Sequence, residues 1–303
     1  MRRRNGLNSI YVFGLFQVSS GKTVVSKALC RGLTNMGLKV APFKPRSGHN
    51  IWYQRYAFEE CRREGRLFCE DIIKLKKAAR CSLPYEVLNP VDALMAPMYA
   101  GAFLTDSYMR GLYLMDADTF NHLLVERYTM LEDGEVRSMI FVNAKNLTGR
   151  VLSDKDYIFK LTGKADKVSS IEDVARWASV FNRLGHCSIS TCRKSLEEEY
   201  GVVVVEGFND AVCPELGVRY KAVIGVGPGV AAFYDPEDFY RVIELKSIMG
   251  LDPKGLRSKE ILEFVKPEEV VSIPALSSID LRSLDVLSQR LGEVVGATLN
   301  RLE

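Results

Sequence analysis

One segment near the start of the chain, residues 10–33, constrains the fold more than any other. Its apolar run at residues 10–13 predicts a buried β-strand. A loop with Gly and Ser follows, and Gly21-Lys22-Thr23 then opens a segment with apolar residues at helical spacing. A loop that ends on a helix N-terminus directs backbone N–H groups and the positive end of the helix dipole at one point. This succession of strand, loop and helix predicts an α/β fold with a phosphate-binding loop.

The loop residues have distinct expected roles. Lys22 is expected to reach the β- and γ-phosphates of a nucleotide, and the Thr23 hydroxyl is expected to coordinate Mg²⁺. The common pattern has a glycine where this chain has Phe16, and Gly14 is the nearest earlier glycine, so the loop is longer than usual. The alternative is an accidental Gly-Lys-Thr at an ordinary helix start, which the flanking strand and helix disfavour. The residues expected to bind the nucleotide here are Gly14, Ser19, Ser20, Gly21, Lys22 and Thr23.

The composition is that of an ordinary globular protein, not of a nucleic-acid binder. The chain has 303 residues, of which 47% are hydrophobic and 26% charged, and a net charge of +3. Its only basic cluster, Arg2-Arg3-Arg4, is more typical of a frayed terminal arm than of a nucleic-acid site. No nucleic-acid partner is therefore expected. No apolar run approaches the roughly 20 residues of a membrane span, and no signal peptide precedes the first strand. We therefore expect a cytoplasmic protein with no membrane partner.

Cysteine and histidine usage argues against a structural metal. The seven cysteines contain no C-x-x-C pair, and the three histidines do not complete a zinc site. Reduced and mostly buried thiols are the expectation, as is usual for a cytosolic chain.

The second predicted strand leads into a polar segment. Residues 40–43 are apolar, and residues 44–50 then read Lys-Pro-Arg-Ser-Gly-His-Asn. In a parallel sheet this loop leaves the same carboxyl edge as the phosphate loop, which is where ligands collect. An anion- or substrate-binding loop and a solvated turn are equally compatible with the local sequence. The candidate substrate residues on this segment are Lys44, Arg46, Ser47 and His49.

An acidic residue ends the most apolar segment of the chain. Residues 202–205 are four consecutive valines, a run typical of a central parallel strand that is buried on both faces. Glu206 follows at the carboxyl edge, where nucleotide-binding sheets hold the acid that orders Mg²⁺ directly or through water. The alternative is a buried glutamate with a purely structural partner.

The rest of the chain alternates between helical and extended patterns. Residues 83–100 are interrupted by prolines and predict an ordered connection, and residues 225–232 predict a strand-to-helix turn in preference to a dinucleotide fingerprint. Helices are predicted over residues 51–80, 170–184 with Ser170 as N-cap, 191–200, 236–249 and 281–302. Strands are predicted over residues 111–114, 122–131, 136–142, 220–226 and 270–274. We predict one domain, residues 1–303, with a mostly parallel sheet, helices on both faces and a β-rich insertion at about 103–165.

The motifs of this chain, and the order in which they occur, resemble those of the dethiobiotin synthetase and cobyric or cobyrinic acid synthase superfamily of P-loop enzymes. Residues 21–33 with 37–44 are similar to the cobyric acid synthase opening, and Lys44-Pro45 with Ser47-Gly48 is similar to the dethiobiotin synthetase substrate loop. The resemblance covers residues 7–102 and 186–276. Its later motifs are Asp71 with Leu75, Asn89-Pro90, Val205-Glu206-Gly207 and Ser272-Ile273-Pro274.

The resemblance implies a P-loop NTPase-type fold and a Mg·ATP-dependent, ligase-like enzyme. Such enzymes phosphorylate a small carboxylate or carbamate, and an amine then displaces the phosphate. The resemblance implies catalytic roles for Lys22 and Lys44, a substrate contact at Ser47, and an adenine-side position for Pro274. Thr23, Asp71 and Glu206 would hold Mg²⁺. The functional alternative is a regulatory or assembly P-loop ATPase that acts as a conformational switch on a protein partner.

The expected partners follow from the same resemblance. ATP and a small carboxylate are the expected ligands, and a homodimer is compatible with the sequence. We expect no glutamine amidotransferase domain in this chain, so amidation fed by glutamine would require a partner subunit or free ammonia.

Overall fold

The computed structural model describes residues 8–105 and 108–303, and the basic stretch at residues 2–4 lies outside them. The strands, in chain order, are β1 (Asn8–Gly14), β2 (Val40–Phe43), β3 (Arg46–Asn50), β4 (Val91–Met95), β5 (Leu123–Glu132), β6 (Glu135–Val142), β7 (Lys167–Ser170), β8 (Val202–Glu206), β9 (Ala222–Gly227), β10 (Val230–Tyr234) and β11 (Glu269–Ser272).

The helices lie between and after these strands. In chain order they are α1 (Lys22–Asn35), α2 (Arg55–Glu64), α3 (Glu70–Ala79), α4 (Tyr85–Leu88), α5 (Ala100–Thr105), α6 (Met109–Asp116), α7 (Lys155–Thr162), α8 (Val174–Val180), α9 (His186–Glu199), α10 (Pro236–Ile248), α11 (Ser258–Ile261), α12 (Ser278–Arg282), α13 (Leu284–Arg290) and α14 (Gly292–Leu302). A π-helical turn, Phe181–Gly185, follows α8. Among the described residues, no helix is long and apolar enough to cross a bilayer.

The chain forms two compact units, each containing one sheet. The first unit comprises the residues up to Pro45, Lys74–Leu83 and Arg193–Glu303. The second unit comprises Arg46–Ile73 and Pro84–Cys192. Both sheets contain parallel and antiparallel pairs, so the protein is α/β with two mixed sheets.

The sheet of the first unit has the strand order β11-β10-β9-β1-β8-β2. The four strands β9, β1, β8 and β2 are parallel, as expected for a buried α/β sheet. Strand β10 is antiparallel to both β9 and β11, so the sheet is less uniformly parallel than the sequence predicted. The reason is local, since Pro228 and Gly229 connect β9 to β10 by a tight turn in place of a helix.

This turn corrects the prediction of a strand-to-helix connection at residues 225–232. Gly229 has a φ of 76°, and a proline followed by a glycine with positive φ is the residue preference of a type II turn. Gly227 and Val230 are paired on either side of it, so β9 and β10 form a hairpin.

Helices pack against the first sheet. Strand β1 is fully buried over Ile10, Tyr11, Val12 and Phe13. On one face, the ring of Phe13 lies 5.4 Å from the ring of Phe239 in α10. Helix α1 packs against β1, β8 and β9 and against α13 and α14. Helices therefore pack on this sheet, and their presence on both of its faces stays a prediction.

The sheet of the second unit has the order β3-β4-β5-β6-β7. The predicted hairpin at residues 122–131 and 136–142 is confirmed as β5 and β6. The β-rich part of the chain extends beyond the expected range of 103–165, because β3, β4 and β7 complete this sheet.

Two segments that the sequence predicts as loops are strands. Strand β3 was expected to be a polar loop and β4 part of a connection, but the two form a parallel pair from Arg46–Val91 to Asn50–Met95. The prolines at positions 45 and 90 lie immediately before the two strands, so they bound the extended segments and do not interrupt them.

Three further predictions are corrected. Residues 111–114 lie in α6 and form no strand. The partly buried apolar residues of α6 recur every three positions, at Met109, Leu112 and Met115. The N-cap of α8 is Asp173, whose side chain accepts a hydrogen bond from Arg176 N, and Ser170 ends β7. The predicted helix at 281–302 is divided among α12, α13 and α14, because the Ser283 side chain caps a new helix.

Arg127 is the largest fully buried side chain of the second unit, and it is held by neutral groups. Its Nε donates to Leu67 O at 2.9 Å, and its two terminal nitrogens donate to Pro90 O at 3.1 Å and Asn89 O at 2.5 Å. Thr129 Oγ1 accepts a further hydrogen bond. The planar fork of guanidinium N–H groups therefore joins two loop segments to β5.

Arg127→Met is expected to lower the free energy of unfolding by about 2 kcal/mol or more, because three buried carbonyl oxygens each lose a hydrogen-bond donor. The matched control is Arg137→Met on the neighbouring strand β6, where the arginine is half exposed and pairs with Asp166. The control should cost less than about 1 kcal/mol. Urea unfolding measures both, and equal losses would contradict this role of Arg127.

Candidate functional site

The loop after β1 folds tightly over the end of that strand. A Cβ atom at Gly14 would lie 2.6 Å from Phe16 O, 2.8 Å from Ser20 Oγ and 3.0 Å from Lys22 Nζ. These distances are too short for a side chain, so the loop geometry requires glycine at position 14. The Lys22 ammonium thus lies over the strand end, where it donates to Ser20 Oγ at 3.2 Å.

The backbone of the same loop has an unusual conformation at its junction with α1. Ser19 has a φ of 55° and Gly21 a φ of 91°, both in the left-handed region. Gly21 is the N-cap of α1, and its carbonyl accepts hydrogen bonds from Val24 N and Val25 N. Left-handed residues before a helix N-terminus turn successive N–H groups toward one side, which is an arrangement that suits an anion.

A buried ion pair lies beside the start of α1. Lys44 Nζ donates to Glu206 Oε1 at 2.6 Å and to Gly207 O at 3.2 Å. The Lys44 side chain is 5% exposed and that of Glu206 is fully buried. Thr23 Oγ1 donates to the same carboxylate oxygen at 3.2 Å. Three residues from β8, α1 and the end of β2 therefore meet at one carboxyl group.

These groups fit the requirements of a magnesium site. Mg²⁺ binds oxygen ligands octahedrally at 2.0–2.1 Å, so adjacent ligands lie about 3 Å apart, and it usually takes only one or two carboxylates besides phosphate and water. Thr23 Oγ1 and Glu206 Oε1 have a matching separation of 3.2 Å. Across residues 8–105 and 108–303, no group of three or more His, Cys, Asp or Glu side chains could hold a metal by itself.

Pro274 was predicted for the nucleotide site and Asp71 for the metal site, and both lie among the described residues. Pro274 follows β11, which runs in the same direction as β1, so it leaves the edge from which the Gly14 loop also leaves. Ile273 N donates to Gly229 O at 2.8 Å in the turn beside it. Asp71 lies in the first turn of α3, within the residues of the second unit, and its role as a metal ligand stays a prediction.

The remaining predicted substrate residues do not share one surface. Arg46, Ser47 and His49 lie on β3, and successive residues of a strand point to opposite faces of the sheet, so Arg46 faces away from Ser47 and His49. Ser47 and His49 are 5% and 1% exposed, whereas the Arg46 side chain is 33% exposed. Their grouping as one loop was wrong for this reason, and a substrate contact by any of them stays a prediction.

Ser47 and His49 instead surround a buried aspartate. Ser47 Oγ donates to Asp92 Oδ1 at 2.5 Å, and His49 Nδ1 lies 3.1 Å from Asp92 Oδ2. Asn89 Nδ2 donates to Ser47 Oγ at 2.8 Å. Asp92 was not among the predicted residues, although an acid within the apolar strand Val91–Met95 is a signal that could have identified it.

Comparison of the sequence with models of known protein families found no match. Comparison with curated proteins found no match either. The functional conclusion therefore depends on the sequence motifs and on the geometry around Gly14, Lys22 and Glu206.

Lys44→Ala is expected to lower the free energy of unfolding by about 3 kcal/mol, because it removes the cation that contacts the buried Glu206 carboxylate. Adding Glu206→Gln should recover part of that loss, since the double variant lacks both charges of the pair. Lys39→Ala is the control: Lys39 forms a 3.1 Å pair with Glu199 in which both side chains are about half exposed, so its loss should be below about 1 kcal/mol. Strictly additive effects at positions 44 and 206 would show that the pair is not coupled.

Proposed function

We propose that this protein is a Mg·ATP-dependent, ligase-like enzyme that phosphorylates a small carboxylate or carbamate for C–N bond formation, with a P-loop NTPase-type nucleotide site. The observation that carries the proposal is the meeting of Thr23, Lys44 and Glu206 beside the Gly14 loop. These residues are distant in the sequence, and each is the residue type that phosphoryl transfer requires at such a place.

The loop would bind the phosphates of ATP. Backbone N–H groups of the left-handed Ser19–Gly21 segment and the N-terminus of α1 favour negative charge, and the Lys22 ammonium lies over the same loop. When bound, Mg²⁺ would be held by Thr23 and Glu206 and would neutralise the charge of the β- and γ-phosphates.

Lys44 is suited to act on the transferring phosphoryl group. Its ammonium is fixed by Glu206 Oε1 and Gly207 O, so little reorganisation is needed for it to stabilise developing negative charge. Phosphoryl transfer needs positioning and electrostatic stabilisation more than a protein nucleophile. Lys22 and Lys44 would supply that stabilisation, and substrate contacts at Arg46, Ser47 and His49 remain part of the proposal.

The cellular setting is also part of the proposal. All seven cysteines are free thiols, and six of them are buried. Reduced cysteines are typical of cytosolic proteins, so we propose a cytoplasmic location. A homodimer is compatible with this function.

Lys22→Ala is expected to weaken Mg·ATP binding at least tenfold and to leave the fold intact, because one charge-assisted contact to phosphate contributes about 1.5–3 kcal/mol. Lys27→Ala is the matched control, since Lys27 lies on the same helix and its Nζ contacts Leu281 O at 3.4 Å. Calorimetric titration with Mg·ATP measures both variants. Affinity that is unchanged in the Lys22 variant, or equally reduced in both, would refute the nucleotide site.

A further inference from the structure

A cavity of about 380 Å³ lies within the second unit, and none of the residues assigned to the nucleotide or its substrate lines it. Ligand pockets in proteins have volumes of about 300–1,000 Å³, so this cavity suits a small ligand. The apolar part of its wall includes Val136 and Ile140 of β6 and Leu161 of α7. Charged residues of both signs also line it. The cavity therefore combines an apolar surface with groups that recognise charge.

One of these charged groups is a buried carboxylate that is only partly satisfied. Glu86 lies in α4 and is 8% exposed. Its Oε1 lies 3.3 Å from Arg66 Nε. Its Oε2 is buried and has no hydrogen-bond partner within residues 8–105 and 108–303. Buried polar atoms nearly always have a partner, so this oxygen is suited to accept a hydrogen bond from a ligand.

Two cations at the same cavity donate to neutral oxygens. Arg127 donates to carbonyl oxygens and to a hydroxyl group, and Lys164 Nζ donates to Glu64 O at 2.6 Å. In the described part of the chain, neither of them forms an ion pair with a carboxylate. The other acid that lines the cavity, Asp166, is paired with Arg137 at 3.1 Å. The excess positive charge therefore favours an anionic group in the cavity.

We propose that this cavity binds a free amino acid with an apolar side chain. Glu86 Oε2 accepts a hydrogen bond from the α-ammonium group, and Arg127 and Lys164 attract the α-carboxylate. The apolar wall packs against the side chain of the ligand. A simple anion would leave Glu86 Oε2 without a donor, and a simple amine would leave the two cations without a counter-charge. The site shares no residue with the proposed nucleotide and substrate sites, so the proposal does not depend on them.

A matched series of ligands tests the proposal on the unmodified protein. Leucine, valine and phenylalanine would be titrated calorimetrically into the full chain at constant ionic strength. Each is paired with the acid that lacks the amino group and with the amine that lacks the carboxyl group, which for leucine are 4-methylpentanoate and 3-methylbutylamine. At least one amino acid should bind saturably, and both of its analogues should bind about tenfold more weakly or less, because each lacks one charge-assisted contact. Absence of saturable binding by all three amino acids, or an analogue that binds as tightly as its amino acid, would overturn the proposal.

Two variants then assign the contacts. Glu86→Gln should weaken binding of the amino acid about tenfold or more without weakening binding of the deaminated acid, a difference that a misfolded variant would not show. Lys164→Met, at an exposed position, should weaken binding of the amino acid and of the deaminated acid but not of the amine.

The controls are matched to these variants. Glu60→Gln removes a carboxylate of the same unit that pairs with Arg63 and does not line the cavity. Lys160→Met removes an exposed lysine that also donates to a backbone oxygen at the end of α2, Arg63 O at 3.3 Å. Both controls should bind the amino acid as the wild type does, and thermal unfolding verifies each fold. Unchanged amino-acid binding in the folded Glu86 and Lys164 variants, or equal losses in variants and controls, would refute the site.

Discussion

The ion pair between Lys44 and Glu206 is the interaction on which the candidate site depends. Both groups are buried, and a buried charge without a partner costs several kcal/mol, so each residue fixes the other. Lys44 follows β2 and Glu206 ends β8, which are neighbouring parallel strands, so the pair closes the carboxyl edge of this part of the sheet. The contact of Thr23 with the same carboxylate adds the start of α1. The carboxyl ends of β2 and β8 and the start of α1 therefore meet at one point beside the Gly14 loop.

The second unit uses a different way of burying polar groups. Its buried arginine, Arg127, donates to carbonyl oxygens, and its buried carboxylates accept hydrogen bonds from neutral groups: Ser47 donates to Asp92, and Tyr128 and Trp177 donate to Glu126. Alternation along β3 and β5 sends consecutive polar residues to opposite faces of the sheet. Such networks specify one register, because a shift by one residue would move each group away from its partners.

Much of the first unit could be predicted from the sequence, because apolar runs and a helical period determine β1, α1 and β8 locally. Parallel strands share one carboxyl edge, so the proximity of Thr23 and Glu206 could also be expected. Strand β3 could not be predicted, since Arg-Ser-Gly-His-Asn has the composition of a loop and becomes a strand through pairing with β4 and through Asp92. The Lys44–Glu206 contact joins residues 162 positions apart, so no local sequence pattern could predict it. The adjacent charges Glu126 and Arg127 within the apolar run of β5 were a signal of buried polar networks that the prediction did not use.

The proposed function requires Glu206, together with Thr23, to hold the Mg²⁺ of a bound nucleotide. The most direct test is calorimetric titration of wild type and Glu206→Gln with ATP, with and without Mg²⁺. We expect Mg²⁺ to strengthen ATP binding to the wild type at least tenfold, and we expect the variant to bind ATP but to lose this increment. No ATP binding by the wild type, or an equal effect of Mg²⁺ on both proteins, would contradict the metal-binding role of Glu206.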